Sequence, residues 1–68
     1  MKDIPAAIEA AIREKGLTYR ALGEQLGYTG ETARITISYW ASGKRAVPLD
    51  KIRPLAAALG LTVDDLVP

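Results

Sequence analysis

Residues Ile35–Arg45 read Ile-Thr-Ile-Ser-Tyr-Trp-Ala-Ser-Gly-Lys-Arg and form the most informative stretch of the chain. If a helix covers this stretch from Ala33 onward, Ala33, Ile37 and Trp40 fall at i, i+4 and i+7, the spacing of a buried stripe. The other face is then predicted to point outward, and it carries Arg34, Ile35, Ser38 and Tyr39. One face is expected to be core and the other to be presented to a partner.

The end of this helix is marked by Ser42 and Gly43, residue types that tolerate or need the left-handed backbone of a helix terminus. Lys44 and Arg45 follow directly, where cations interact favourably with the negative end of the helix dipole. A short helix with an exposed face and a cationic exit is typical of helices that enter a DNA major groove.

Positive charge is concentrated in the same part of the chain, although the net charge of the whole is only +1. Residues 34–53 contain five basic side chains and one acidic side chain, a net charge of +4. Residues 1–33 carry −1 and residues 54–68 carry −2. This distribution favours a nucleic-acid partner, whereas the simpler reading is that any small domain has a basic side.

The composition of the 68 residues argues against catalysis and against bound cofactors. Cysteine and histidine are both absent, which removes disulfides, thiolate or imidazole metal ligands, and the commonest nucleophile and general base. Ser38 and Ser42 have no histidine to activate them. We therefore expect no enzyme activity, no metal, no cofactor and no small-molecule ligand, and a single domain over residues 1–68.

No membrane or export signal is expected from the sequence. The longest apolar-rich run, Leu55–Val63, contains Gly60 and Thr62 and is about half of what a bilayer requires. The opening Met1-Lys2-Asp3 does not begin a signal peptide. The expected location is the cytoplasm, in association with the nucleoid when DNA is bound.

Five helices are predicted, roughly over residues 4–15, 18–26, 30–41, 49–59 and 62–66. Asp3 and Thr18 are the expected N-caps of the first two helices. The third can be capped by Thr29 or Gly30, or by Thr32 after a longer loop. Thr62 with Asp65 resembles a capping box that opens the last helix.

Two residues inside the predicted helices are unfavourable for a helix. Gly23 lies in the middle of the second helix, where glycine costs about 1 kcal/mol relative to alanine. Such a cost suggests that another helix crosses there closely. Pro54 lies beyond the first turn of the fourth helix and is expected to distort the start of that helix unless Asp50 or a later residue is the cap.

Several short motifs in order resemble the helix-turn-helix domains of the Cro and phage-repressor (XRE-type) family. The motifs are Gly16-Leu17-Thr18, Leu22-Gly23 with Leu26-Gly27, Thr36-Ile37-Ser38 with Trp40, Ser42-Gly43-Lys44-Arg45, and Leu55-Ala56-Ala57-Ala58-Leu59-Gly60. The resemblance covers nearly the whole chain and rests on the order and spacing of these motifs. It implies an all-α, five-helix lambda-repressor-like domain whose third helix reads the major groove, usually as a dimer on two half-sites.

The resemblance also implies a set of DNA-contacting residues. Arg34 matches a base-contacting position, and arginine is the commonest reader of guanine. Lys44 and Arg45 follow the reading helix, where a phosphate should pass. Ile35 either contacts a thymine methyl group or packs the helix tip, and Tyr39 either contacts DNA or is simply exposed. The full predicted set is Thr18, Tyr19, Thr32, Arg34, Ile35, Ser38, Tyr39, Lys44 and Arg45, with Lys51 and Arg53 as weaker candidates.

Three departures from the family pattern bear on these expectations. The stretch before Gly43 is longer by about four residues, one helical turn, so the reading helix is expected to be extended at its N-terminus. Tyr19 stands where the family often has glutamine, and its hydroxyl could supply the phosphate contact. Ile12 and Ala41 replace an ion pair that many relatives bury, an exchange that is often neutral or stabilising.

These observations predict a sequence-specific regulator of transcription that binds double-stranded operator DNA as a homodimer, of the Cro-like or small phage or mobile-element repressor type. Val63, Leu66 and Val67 are the candidates for a dimer contact. The alternatives are a helix-turn-helix module that binds another protein, or an antitoxin-type regulator that binds a partner protein as well as DNA.

Overall fold

The computed structural model describes residues 3–66. It contains five helices, α1 (Ile4–Lys15), α2 (Tyr19–Gln25), α3 (Gly30–Ser42), α4 (Leu49–Leu59) and α5 (Val63–Leu66). The predicted all-α fold of five helices is confirmed and is consistent with the lambda-repressor-like architecture. Two predictions lie outside the described residues: the reading of Met1-Lys2 as no signal peptide, and a dimer contact at Val67.

The beginning of α2 is set by Thr18, as predicted. Its hydroxyl oxygen accepts a hydrogen bond of 3.0 Å from the backbone N–H of Ala21, which satisfies one of the free donors of the first turn. Asp3 also occupies an N-cap position, but its side chain makes no capping hydrogen bond. The same is true of Thr29, which precedes α3 and leaves Thr32 inside the helix.

The predicted capping interaction at α5 is present in a modified form. The carboxylate of Asp65 accepts hydrogen bonds from the backbone N–H of Thr62 at 3.0 Å and from its hydroxyl at 3.1 Å. In a capping box the hydroxyl would instead accept from the N–H of the third helical residue. The carboxylate of Asp65, together with a hydrogen bond of 3.1 Å from its backbone N–H to the Thr62 carbonyl, ties this short helix to its preceding loop.

The core is built around the buried stripe of α3. Ala33 and Ile37 have no exposed surface and Trp40 is 3% exposed, which confirms the periodicity seen in the sequence. The ring of Tyr28 meets that of Trp40 edge to face, with centroids 6.0 Å apart. The other buried side chains of the cluster come from the remaining helices and the turn after α2: Ala7, Ile8, Ala11, Leu22, Leu26, Leu55, Ala56, Leu59 and Leu66.

Gly23 is the point where α2 and α3 cross. A methyl group built on Gly23 would lie 2.6 Å from the carbonyl oxygen of Ala33 and 2.7 Å from its Cβ. Contacts below 3.0 Å are not tolerated, so only a glycine permits this approach. The predicted close crossing is confirmed, and it determines how closely α3 packs against α2.

Pro54 lies within α4, yet the helix runs without interruption from Leu49 to Leu59. Proline has no N–H to donate to the carbonyl of Asp50, four residues earlier. Both Asp50 and Pro54 are exposed, so water can satisfy that carbonyl. The exposed side of the helix is where such a proline is least costly.

Leu66 is 2% exposed and belongs to the core of the single chain. A dimer contact through its side chain, which the sequence suggested, is therefore wrong. Ile12 and Ala41, for which the resemblance implied an apolar contact in place of an ion pair, are partly buried against the same core. None of the helices within residues 3–66 is long and apolar enough to cross a membrane.

Candidate nucleic-acid interface

The outward face of α3 presents polar and apolar side chains side by side. Thr32, Arg34 and Ile35 are exposed, while Ser38 and Tyr39 are half-buried. Ile35 is 37% exposed, one of two large hydrophobic residues in the described chain with so much free surface. This arrangement follows from the burial of Ala33, Ile37 and Trp40, because a helix that buries one stripe must expose the opposite one.

Arg34 is held by Glu31, three residues before it on the first turn of α3. Its Nη2 donates to one carboxylate oxygen at 2.8 Å and its Nε donates to the other at 3.1 Å. Both side chains are largely exposed, at 50% for Arg34 and 72% for Glu31. The hydrogen bond from Arg34, followed by its charge, lowers the pKa of Glu31, and Glu31 raises the pKa of Arg34 in the same way.

The turn after α3 is fixed by backbone hydrogen bonds. The N–H groups of Gly43 and Lys44 donate to the carbonyls of Trp40 and Tyr39, at 3.3 and 3.0 Å. This is the Schellman pattern of a helix C-terminus, which requires a left-handed residue, and Gly43 has φ of 79°. Arg45 N–H, at 3.4 Å, and the Ser42 hydroxyl, at 3.2 Å, also donate to the Tyr39 carbonyl.

The ring of Tyr39 lies close to the cationic side chains of Lys44 and Arg45 in this turn. The Nζ of Lys44 lies 5.9 Å from the ring centre, and the guanidinium carbon of Arg45 lies 5.2 Å from it. Both distances are within the range of a cation–π contact. Two cations are thus kept beside the outward face of α3.

A groove of about 520 Å³ runs between α3 and the loop that follows it. Four of the predicted DNA-contacting residues line this groove: Thr32, Ile35, Tyr39 and Arg45. Arg34 and Ser38 lie on α3 but do not line the groove. Thr18 and Tyr19, at the N-terminal end of α2, do not line it either. The structure therefore brings four residues of the predicted set into one concave surface, and Arg34 and Lys44 do not line it.

Tyr19 is engaged away from this surface. Its hydroxyl donates to the carboxylate of Glu9 in α1 at 2.5 Å. This hydrogen bond, and burial after it, raises the pKa of Tyr19. The hydroxyl of Thr18, by contrast, accepts from Ala21 and still has its own proton to donate.

Lys51, a weaker candidate for DNA contact, makes contacts that link two parts of the fold. Its Nζ donates to the carbonyl of Leu26 at 3.3 Å and lies 5.1 Å from the centre of the Tyr28 ring. It thereby ties α4 to the turn that joins α2 and α3. Sequence spacing gave no sign of this contact.

The acidic side chains of residues 3–66 form no group of three or more that could hold a metal ion.

Comparison with known proteins gives one match. A family model described as helix-turn-helix matches residues 8–66, from the buried part of α1 to the end of α5. No curated protein and no solved structure matches the chain.

Proposed function

Because the chain belongs to the XRE-type helix-turn-helix family of Cro and phage repressors, we propose that it regulates transcription by binding double-stranded DNA sequence-specifically. This family consists of DNA-binding regulators and is generally non-enzymatic. One observation supports the proposal above the others: α3 ends in a hydrogen-bonded turn that carries Lys44 and Arg45 beside its outward face. Cations beside a helix in the major groove can contact the phosphate backbone and fix the helix's orientation on the duplex.

The proposed roles follow from position and chemistry. Arg34 reads guanine through the donors that Glu31 leaves free, and Ile35 contacts a thymine methyl group. Tyr39 contacts DNA from the groove wall while its ring steadies Lys44 and Arg45, which bind phosphates. Thr32, Ser38 and Thr18 offer hydroxyl groups to bases or phosphates. Tyr19 can contact a phosphate only if its hydrogen bond to Glu9 is given up, so we assign it the weakest contribution.

The finer proposal is a Cro-like or small phage or mobile-element repressor that acts as a homodimer. Two copies related by a two-fold axis would place two α3 helices about one turn of DNA apart, on a pseudo-palindromic operator. Such a protein would act in the cytoplasm, on the nucleoid. Selection of binding sites from random DNA, followed by measurement of the mass of the complex, tests both features. A single chain on a single half-site would contradict the dimer.

Residues that read bases and residues that bind phosphates can be distinguished experimentally. Arg34→Ala should weaken binding to the selected duplex by about 1 to 3 kcal/mol, about five- to 150-fold, and relax the preference at one or two base pairs. Lys44→Ala should weaken binding to selected and scrambled duplexes about equally and reduce the salt slope by about one phosphate contact. Titration of each variant at several salt concentrations gives both quantities.

Arg13→Ala is the matched control, because it removes one exposed positive charge from the last turn of α1. It should change neither the sequence preference nor the salt slope appreciably. If Arg34→Ala weakens binding to both duplexes equally, the reading tip lies elsewhere, and Glu31, Thr32 and Ile35 become the residues to test. A module that binds only another protein would show no salt-dependent DNA titration at all.

A further inference from the structure

We propose that Glu31 is a positioning residue that presents Arg34 to guanine and penalises other bases. The inference rests on the proposed function and concerns the discrimination between DNA sequences. It starts from the two hydrogen bonds, of 2.8 and 3.1 Å, that join the two side chains on the first turn of α3.

The edge of the guanidinium that Glu31 occupies determines which N–H donors of Arg34 remain available to DNA. The carboxylate takes the Nε and one hydrogen of Nη2. The opposite edge, formed by Nη1 and the second hydrogen of Nη2, keeps two parallel donors. Two parallel donors are what the O6 and N7 acceptors of guanine require in the major groove. The pair with Glu31 is therefore compatible with bidentate readout of guanine.

The pair also restricts where Arg34 can point. A free arginine side chain samples many rotamers, and ordering it on binding lowers affinity. Two hydrogen bonds to a residue one turn away limit that freedom before DNA arrives. An unrestrained arginine could turn to any nearby phosphate. The pair with Glu31 instead favours one orientation of the guanidinium.

Charge gives Glu31 its second effect. It is the one acidic residue of α3 and is 72% exposed on the first turn. Its carboxylate is repelled by the phosphate backbone, and it accepts hydrogen bonds but cannot donate them to guanine. When Arg34 meets guanine the attraction outweighs this repulsion. When Arg34 meets another base pair, its paired contact to guanine is lost while the repulsion from the phosphates remains, so non-specific complexes are weakened.

The alternative is that the pair only stabilises the helix, since a carboxylate in the first turn and an i,i+3 ion pair both favour α3. The two roles predict different measurements. A stabilising pair changes the unfolding midpoint and leaves the ratio of affinities for selected and scrambled DNA unaltered. A positioning pair changes that ratio.

The experiment measures this ratio for wild type, Glu31→Ala, Arg34→Ala and the double variant, on the selected duplex and a scrambled duplex at one salt concentration. We expect Glu31→Ala to bind scrambled DNA more tightly and to lower the ratio by about three- to thirty-fold, a span typical of residues in direct contact. In the Arg34→Ala background, removal of Glu31 should strengthen binding to the selected and the scrambled duplex about equally, so it should no longer change the ratio.

Controls separate folding from recognition. Glu31→Gln keeps the side-chain length and one acceptor but removes the charge, so it should lower the ratio less than Glu31→Ala. Glu14→Gln removes an exposed carboxylate of α1 and should leave the ratio unchanged. Circular dichroism of each variant establishes that it is folded.

Failure of the inference can be distinguished from failure of the proposed function. If Arg34→Ala lowers the ratio and neither Glu31 variant does, the positioning role is overturned and the reader role stands. If Glu31→Ala lowers the ratio equally with and without Arg34, Glu31 acts independently and the inference is also overturned. If the wild type prefers no sequence, the proposed function fails and the inference fails with it.

Discussion

Replacement of Trp40 by alanine is expected to unfold the protein, or nearly so, at room temperature. Trp40 is 3% exposed and packs edge to face on Tyr28 at the centre of the core. Truncation of a buried aromatic side chain costs about 3 to 5 kcal/mol, and a single core in a chain this small supplies rarely more than about 3 to 5 kcal/mol. Far-UV circular dichroism with a urea titration measures the loss directly.

Tyr39→Ala is the matched control, because it removes a neighbouring aromatic ring from the outer face of the same helix. The backbone carbonyl of Tyr39, which accepts the hydrogen bonds of the turn, is retained. This variant should stay folded and should weaken DNA binding instead. An unchanged urea midpoint for Trp40→Ala would mean that Trp40 is not buried, and the register assigned to α3 would be incorrect.

Gly23→Ala is expected to destabilise the protein, although alanine is the better helix former. The added methyl group would lie 2.6 Å from the Ala33 carbonyl oxygen and 2.8 Å from its Cα. These are backbone atoms that cannot rotate away, so α2 and α3 must move apart. Overpacking costs about 1 to 3 kcal/mol, and contacts this short with backbone atoms belong at the upper end of that range, above the gain of about 1 kcal/mol in helix propensity.

The sign of the change in melting temperature is the decisive measurement. Gln25→Ala, at an exposed position of the same helix, should be neutral or slightly stabilising. The double variant with Ala33→Gly should not recover stability, because the backbone atoms of residue 33 remain in place. A higher melting temperature for Gly23→Ala would show that the two helices are not in contact there.

The helices and their core were predictable from sequence because burial imposes a local period. The stripe of Ala33, Ile37 and Trp40 needs only the geometry of a single helix. Gly23 could be interpreted as a crossing point because its cost within a helix calls for compensation elsewhere. The Thr18 cap likewise depends on a hydrogen bond that spans three residues.

Contacts between helices were not predictable in this way. The hydrogen bond from Tyr19 to Glu9 and that from Lys51 to the Leu26 carbonyl depend on how separate elements pack. Neither has a spacing that a single helix would reveal. Glu31 and Arg34, in contrast, are three residues apart on one helix, and their spacing alone would have indicated the pair. The DNA-contacting set remains a prediction, because recognition depends on a partner as well as on the fold.

The two faces of α3 have a consequence for how such a protein can change over generations. The stripe that holds the fold together, Ala33, Ile37 and Trp40, interleaves with the exposed Arg34 and Ile35 but shares no residue with them. Substitutions at well-exposed positions usually alter stability by no more than about 0.5 kcal/mol. Under the proposed function, new operator preferences can therefore arise by substitutions at the outer positions alone, and descendants can diverge in target while keeping a common scaffold.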